Sequence, residues 1–347
     1  LILMSTLRDV AVEHQRRRDA LADKTSRQAL RLWRSIDPAA LDAGWDRVAP
    51  LLTGVVSAAQ VTAARQAVPY TNAVMDATDV ARGGPLLVPE AFGGVSREGR
   101  SVAPEMFAAV TTTKRLVSHG SGIPAAFRVG ATVMSIIAKT LVTDAGRSAD
   151  KTLSTGKGYT LSVRVVSAGA CSRCAILAGV TGYRTDFDRH PNCRCTSMPI
   201  LDGNVPAGFH DSPDSYFHSL TAAEQERVFT KAGAEAIRSG ADPVKVVNAR
   251  RGALTSTKRL DGSYSRASLQ PTVIGRKADG SPLTVYATRE GTTARSSWAR
   301  AQNNLMKNGD ERYRRTQTLR LMPEQIMSMA STPERAVELL ERYGYLY

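Results

Sequence analysis

Between residue 5 and about residue 145 the apolar positions recur with the period of helices rather than strands. Leu52, Val55, Val56 and Ala59 fall at i, i+3, i+4 and i+7, and Val133, Ile136, Ile137 and Leu141 share one helical face. Pro38 and Pro50 are expected to punctuate these helices. A loop rich in Gly and Pro, from Arg82 to Pro104, is expected to separate two helical groups. Residues 8–34 differ in texture, with many arginines, interspersed acids and few large apolar side chains. That mixture reads as a solvated helix face, and a helix that docks on another subunit is the alternative.

From Gly156 the pattern shortens to a period of two. Leu161, Val163 and Val165 alternate with Ser162, Arg164 and Val166, which predicts a strand. Tyr183 to Phe187 and Thr196 to Leu201 predict two more short segments, together a small module with little core of its own. After a polar loop from Asp202 to Asp214, Thr221-Ala-Ala-Glu224 has capping-box spacing and predicts a helix to Arg238, ending near Gly240. Asp242-Pro243 opens another helix that finishes at Asn248–Gly252. Thr272–Ala287 reads as a β-hairpin, and Thr332-Pro333 starts a last helix with Ala336, Leu339, Leu340 and Tyr343 on one face.

Composition changes this picture in one respect. The apolar fraction of 42% is that of a globular chain, but the net charge of +14 points to a partner carrying negative charge. Residues 245–320 hold 16 Lys and Arg against 5 Asp and Glu, so most of the excess sits there. Arg250, Arg251, Lys258, Arg259, Arg276, Lys277, Arg312, Arg314 and Arg315 are the candidate contacts to a phosphate backbone or an acidic protein. A soluble basic surface is the plainer reading. Tyr264, Tyr286, Trp298 and Tyr313 are too few to make base stacking a theme, so any DNA contact is expected to be non-specific and salt-dependent. No stretch approaches the roughly 18–20 uninterrupted apolar residues of a membrane span; the best, Val129 to Val142, is broken by Thr132, Ser135 and Lys139. The opening Leu1-Ile2-Leu3-Met4 has no basic flank and does not read as a secretory signal, and Met4 reads as the natural start.

The sharpest chemical signal lies in the 25 residues from 171 to 195, which contain all 4 cysteines. Cys171-Ser-Arg-Cys174 is followed by His190-Pro191-Asn192-Cys193-Arg194-Cys195. Two close ligand pairs on separate turns are the spacing of a structural zinc site. Cys171, Cys174, His190, Cys193 and Cys195 are five candidates for four positions. His190 with Cys193 repeats the two-residue spacing of the first pair, while Cys193 with Cys195 suits an extended chain, in which alternate residues share a face. Disulfides and a catalytic metal are the alternatives, though no His-Glu-x-x-His accompanies the cysteines. The expected architecture is therefore mainly α with a small β-containing zinc module (α+β): residues 1–150 helical, 151–205 the zinc-binding module, 206–347 a basic α+β region with a helical tail. No catalytic residue is assigned. Ser118-His119-Gly120-Ser121-Gly122 lacks a nucleophile-elbow frame, and His119 reads as a helix C-terminal residue. His14, His210 and His218 read as isolated surface histidines, and no Walker A loop or Gly-x-Gly-x-x-Gly is present.

The window Cys171–Pro199, with its Cys-x-x-Cys, Leu177-Ala178-Gly179 and His-Pro-Asn-Cys-Arg-Cys, resembles the Mu protein F-like minor head proteins of tailed bacteriophages, the phage head morphogenesis family. Phe229–Arg238, Val246–Gly252, Gly291-Thr-Thr293, Arg320–Gln325 and Arg342–Tyr345 are similar to its actinobacteriophage branch, so the resemblance covers about residues 105–347. It implies a low-copy protein of the virion interior, assembled in the bacterial host cytoplasm. Its implied partners are the portal protein, major capsid or scaffold proteins and packaged double-stranded DNA, without a membrane. The helical residues 1–150 would dock on the portal. Relatives labelled capsid maturation proteases supply one alternative, and a non-phage, zinc-dependent nucleic-acid-binding protein a second.

Overall fold

The structure, a computed structural model, describes residues 6–81, 83–166, 169–183, 193–201, 206, 208–210, 212–254, 256–258, 264–266, 270–276, 280–288, 305–306, 315–316 and 320–346. These are mainly helical with small antiparallel sheets. They form two compact units, Leu1–Ala170 with Leu177–Asp211, and Cys171–Ile176 with Ser212–Tyr347.

The first unit is organised by two long helices, α1 (Leu7–Arg34) and α6 (Ile123–Gly156), with α2 (Leu41–Arg65), α3 (Ala67–Ala77), α4 (Val102–Met106) and α5 (Ala108–Ser118) packed around them. Thr6 and Asp9 close a capping box at the start of α1, and Thr6 holds the Asp9 carboxyl below its usual range. The principal core joins Trp33, Trp45, Val48, Leu52, Val56, Met106, Met134 and Leu141. The stripe on α2 is as the periodicity predicts, except that Val55 is only half-buried. On α6 the fully buried line runs through Met134, Ala138 and Leu141, with Val133, Ile136 and Ile137 on its flanks.

Two sequence expectations fail here for physical reasons. Pro38 does begin a short 3-10 turn, but Pro50 lies inside α2. Proline removes one helical hydrogen bond there, yet it sits on the exposed side, while Trp45, Val48, Leu52 and Val56 bury the opposite face and carry the helix through. Nor is α1 merely a solvated face or a free docking helix. It buries Ala11, His14, Gln15, Arg18, Ala22, Thr25, Ser26, Ala29 and Trp33 within its own unit, a helical stripe made mostly of small and polar residues. By length and mean hydropathy α6 also passes as a potential membrane span, despite the polar interruptions. The same helix packs on α1, α2, α3 and α5.

The predicted strands form a sheet in the order β2-β1-β3, with β1 Leu161–Val165, β2 Thr181–Tyr183 and β3 Thr196–Ile200, all antiparallel. Val163 faces Met198 and Leu161 faces Ile200 in the register. Tyr159, Val163, Val165, Met198 and Ile200 share one apolar cluster with Ala11 of α1 and Tyr70, Val74 and Met75 of α3. The sheet's core is thus borrowed from the helices, which cover the face carrying Val163, Val165, Met198 and Ile200; residues 184–187 of the second predicted segment lie outside the described residues.

In the second unit, α7 (Ser172–Ala175) and α8 (Pro213–His218) precede α9 (Ala222–Phe229) and α10 (Lys231–Arg238). The capping box at Thr221 and Glu224 forms as predicted, but the single helix expected to Arg238 is broken at Thr230. Thr230 stands at φ +68°, a conformation a β-branched residue rarely adopts, and its hydroxyl accepts from Gly233 N to cap α10. Helix α11 (Pro243–Leu254) follows. Strands β6 (Gln270–Arg276) and β7 (Pro282–Thr288) make the expected hairpin, joined by β10 (Arg320–Leu321). The short pairs β4 (Ser256–Lys258) with β5 (Tyr264–Arg266), and β8 (Leu305–Met306) with β9 (Arg315–Thr316), lie in the same basic stretch. The chain closes on α12 (Pro323–Met329) and α13 (Pro333–Arg342), whose Ala336, Leu339 and Leu340 are buried. Tyr345 is buried beyond Gly344 and donates to Leu321 O at 2.8 Å.

Close helix packing gives a direct test of this core. A Cβ on Gly130 would lie 2.2 Å from Thr113 Oγ1 and 2.6 Å from Trp33 Cζ2. Gly130→Ala is therefore expected to lower the midpoint of thermal unfolding, at a cost of about 1–3 kcal/mol, as followed by circular dichroism.

Candidate metal centre

Cys171 and Cys174 lie on a tight turn. Cys171 precedes α7 as its N-cap residue, and its carbonyl accepts from both Cys174 N and Ala175 N at 3.0 Å. Cys193 and Cys195 stand two apart, immediately before β3. The Sγ atoms of Cys174, Cys193 and Cys195 all lie within 4.8 Å of one another, and all three residues are buried. Three buried thiols at that separation are close enough to hold one metal ion. Cys171 is exposed and stands outside this trio, and His190 lies outside the described residues.

The backbone of Cys193–Cys195 is held from the helical side by three side chains. Arg147 of α6 donates through Nε to Cys195 O at 3.0 Å and through Nη2 to the same oxygen at 2.8 Å, and Nη2 also donates to Cys193 O. Gln15 of α1 donates to Arg194 O at 2.9 Å, and Arg18 Nη2 reaches Cys195 O at 3.4 Å. Every carbonyl of the Cys193-Arg194-Cys195 run accepts a side-chain hydrogen bond. Arg147 is itself oriented by Asp144 at 3.2 Å.

Behind this lies a buried polar cluster. Arg18 is fully enclosed and pairs with Asp150 at 3.1 Å, and His14 Nε2 approaches the same carboxylate at 2.9 Å. The His14 ring stacks on Tyr70 at 3.9 Å between centroids, nearly parallel, and the Tyr70 hydroxyl donates to Ser197 O at 2.9 Å in β3. Burial, with the Arg147 charge nearby, lowers the Arg18 pKa from its ordinary value, and burial pushes the Tyr70 phenol well above its own. Gly146 makes room for the guanidinium stem: a Cβ there would come within 2.8 Å of Arg18 Cδ. A separate cavity of about 310 Å³ lies against α1 and α3, lined by Val10, Glu13, His14, Gln66, Pro69 and Tyr70 among others; no cysteine lines it.

The structure corrects the reading of His14 as a surface residue; it is 6% exposed and internally partnered. His119 is the C-cap residue of α5, as expected, and its Nδ1 lies 2.6 Å from Arg115 O. Ser118 Oγ donates to the same carbonyl at 2.8 Å and lies 3.3 Å from His119 Nδ1, so the two side chains meet at the helix end. Of the basic candidates, Arg250 is half-buried and paired inside its own unit, with Glu324 at 3.4 Å and Phe229 O at 3.3 Å. Arg276 is exposed on β6 and donates to Gly280 O at 2.9 Å. Arg251, Lys258 and Arg315 are placed by their backbones in α11, β4 and β9. Arg259, Lys277, Arg312 and Arg314 lie outside the described residues.

No protein-family model matches the chain, and no curated protein or solved structure matches it.

The residues missed from sequence are those that hold the cysteine run, namely Gln15, Arg18, Arg147 and Asp150, with His14 and Tyr70 beside them. Their signal was present as helical spacing, with His14, Gln15 and Arg18 on one face of α1 and Asp144, Arg147 and Asp150 at intervals of three on α6. Removing the shared carboxylate is expected to be severe. Asp150→Ala leaves the Arg18 charge enclosed without its counter-ion and should destabilise the chain by about 3–5 kcal/mol in a urea titration.

Proposed function

We propose that the chain is a bacteriophage minor head protein of the head morphogenesis type, an internal virion component that works at the portal during capsid assembly and DNA packaging or ejection. We propose with it that zinc, as a structural ion, occupies the cysteine site. The observation that carries this reading is the meeting of Cys174, Cys193 and Cys195 as buried neighbours. They come from the two motifs on which the resemblance to Mu protein F-like proteins rests.

Soft thiolate ligands favour zinc over hard cations, and Cys171 and His190 are the candidates for a fourth ligand. Four protein ligands would leave no open position for substrate, the mark of a structural rather than a catalytic ion. The cationic stretch 245–320 supports a place beside packaged DNA, with phosphate contacts that fix no sequence. On this reading the partners are the portal protein and the capsid or scaffold proteins, and the protein is assembled in the bacterial cytoplasm and retained inside the head. For the maturation-protease alternative, Ser118 Oγ does lie 3.3 Å from His119 Nδ1, but both groups also contact the Arg115 carbonyl at the exposed end of α5, a contact that finishes a helix.

The test is biochemical fractionation of particles from the phage or prophage that encodes the chain. The protein is expected in purified heads at low copy, protected from added protease until the heads are opened. Absence from particles, or digestion while the heads are intact, would overturn the assignment.

A further inference from the structure

We infer that Gln15, Arg18 and Arg147 are positioning residues that shape the Cys193–Cys195 half of the metal site before any metal arrives. The inference rests on the zinc reading above and adds how the site is built. Isolated zinc modules commonly fold only as the ion binds, because nothing else orders their ligands. Here the ordering is supplied from within the first unit. Three consecutive carbonyls are each held by a buried or nearly buried donor from α1 or α6. The strand that follows is anchored by Met198 and Ile200 in the apolar cluster with Tyr70, Val74 and Met75.

The geometry explains why the donors are placed on these carbonyls. Cysteines two apart present their side chains to the same side only while the intervening backbone stays extended. Arg147 binds the carbonyls of both cysteines and Gln15 binds the one between, so rotation of any of the three peptide groups breaks a part-buried hydrogen bond. Arg147 spans two carbonyls with a planar fork, which a lysine cannot do. Partners one step removed from a metal commonly change its affinity by about 10–100-fold when they are removed.

The test uses the full-length chain, stripped of metal and titrated with zinc against a chromophoric chelator, with cobalt(II) as a spectroscopic stand-in. Metal-free wild-type chain is expected to keep its helical circular dichroism and to bind one zinc. Arg147→Ala should weaken zinc binding by about 10–100-fold and alter the cobalt–thiolate bands. Gln15→Met, which removes one donor and keeps the volume, should weaken it by about fivefold, while the metal-free variant keeps its helical circular dichroism and a cooperative melting curve lowered by only a few degrees. Should Arg147→Ala fail to fold, Gln15→Met decides alone. Wild-type affinity and cobalt spectra in the folded variants would overturn the inference while leaving the zinc reading intact, as would loss of the wild-type helical signal on metal removal. A wild-type chain that takes up neither zinc nor cobalt would sink both.

Discussion

Arg18 is completely enclosed by protein, and a charged guanidinium persists in such a place only beside a counter-charge. Asp150 supplies it, and much else hangs on that pair. The same carboxylate receives His14, whose ring stacks on Tyr70, whose hydroxyl in turn holds Ser197 of β3. The other end of Arg18 reaches Cys195 O. One buried ion pair thus ties α1, α3, α6, β3 and the cysteine run before it together. It is not an efficient source of stability: Arg18 Nε has no hydrogen-bond partner among the described residues, and replacing buried ion pairs by apolar groups of like volume is often neutral or stabilising. Its value lies in specifying where the backbone of Cys193–Cys195 runs.

Much of the fold was legible because it follows apolar periodicity. The α2 stripe, the β1 and β3 strands, the 272–287 hairpin and the Thr221 cap all appear where the pattern places them. Where the reading failed, a local rule met a stronger tertiary one. Pro50 is tolerated because apolar burial on the far side of α2 outweighs one lost hydrogen bond. The α9–α10 break is invisible to propensity, since threonine at φ +68° is disfavoured and is held there by its own capping hydroxyl and by Glu324. The polar face of α1 was misjudged because arginine, histidine and glutamine read as solvent-facing when their partners lie more than 100 residues away.

The candidate site divides in the same way. Cysteine spacing announces a metal site whatever the fold, and three of the five candidates do come together as buried neighbours. What spacing cannot announce is the support, because hydrogen bonds from Gln15 and Arg147 to backbone carbonyls leave no motif. The basic stretch shows the opposite weakness. Arg250 counts as a positive charge in the sequence, yet it is occupied by Glu324 and Phe229 O in the fold, so a charge tally overstates the charge free to meet a partner.

Whether the buried thiols of Cys174, Cys193 and Cys195 hold one zinc ion is decided at the metal itself. X-ray absorption at the zinc edge, on full-length protein loaded with one equivalent of zinc, tests it most directly. At least three sulfur neighbours at about 2.3 Å are expected. A shell of nitrogen and oxygen alone, or zinc that washes out on desalting, would contradict it.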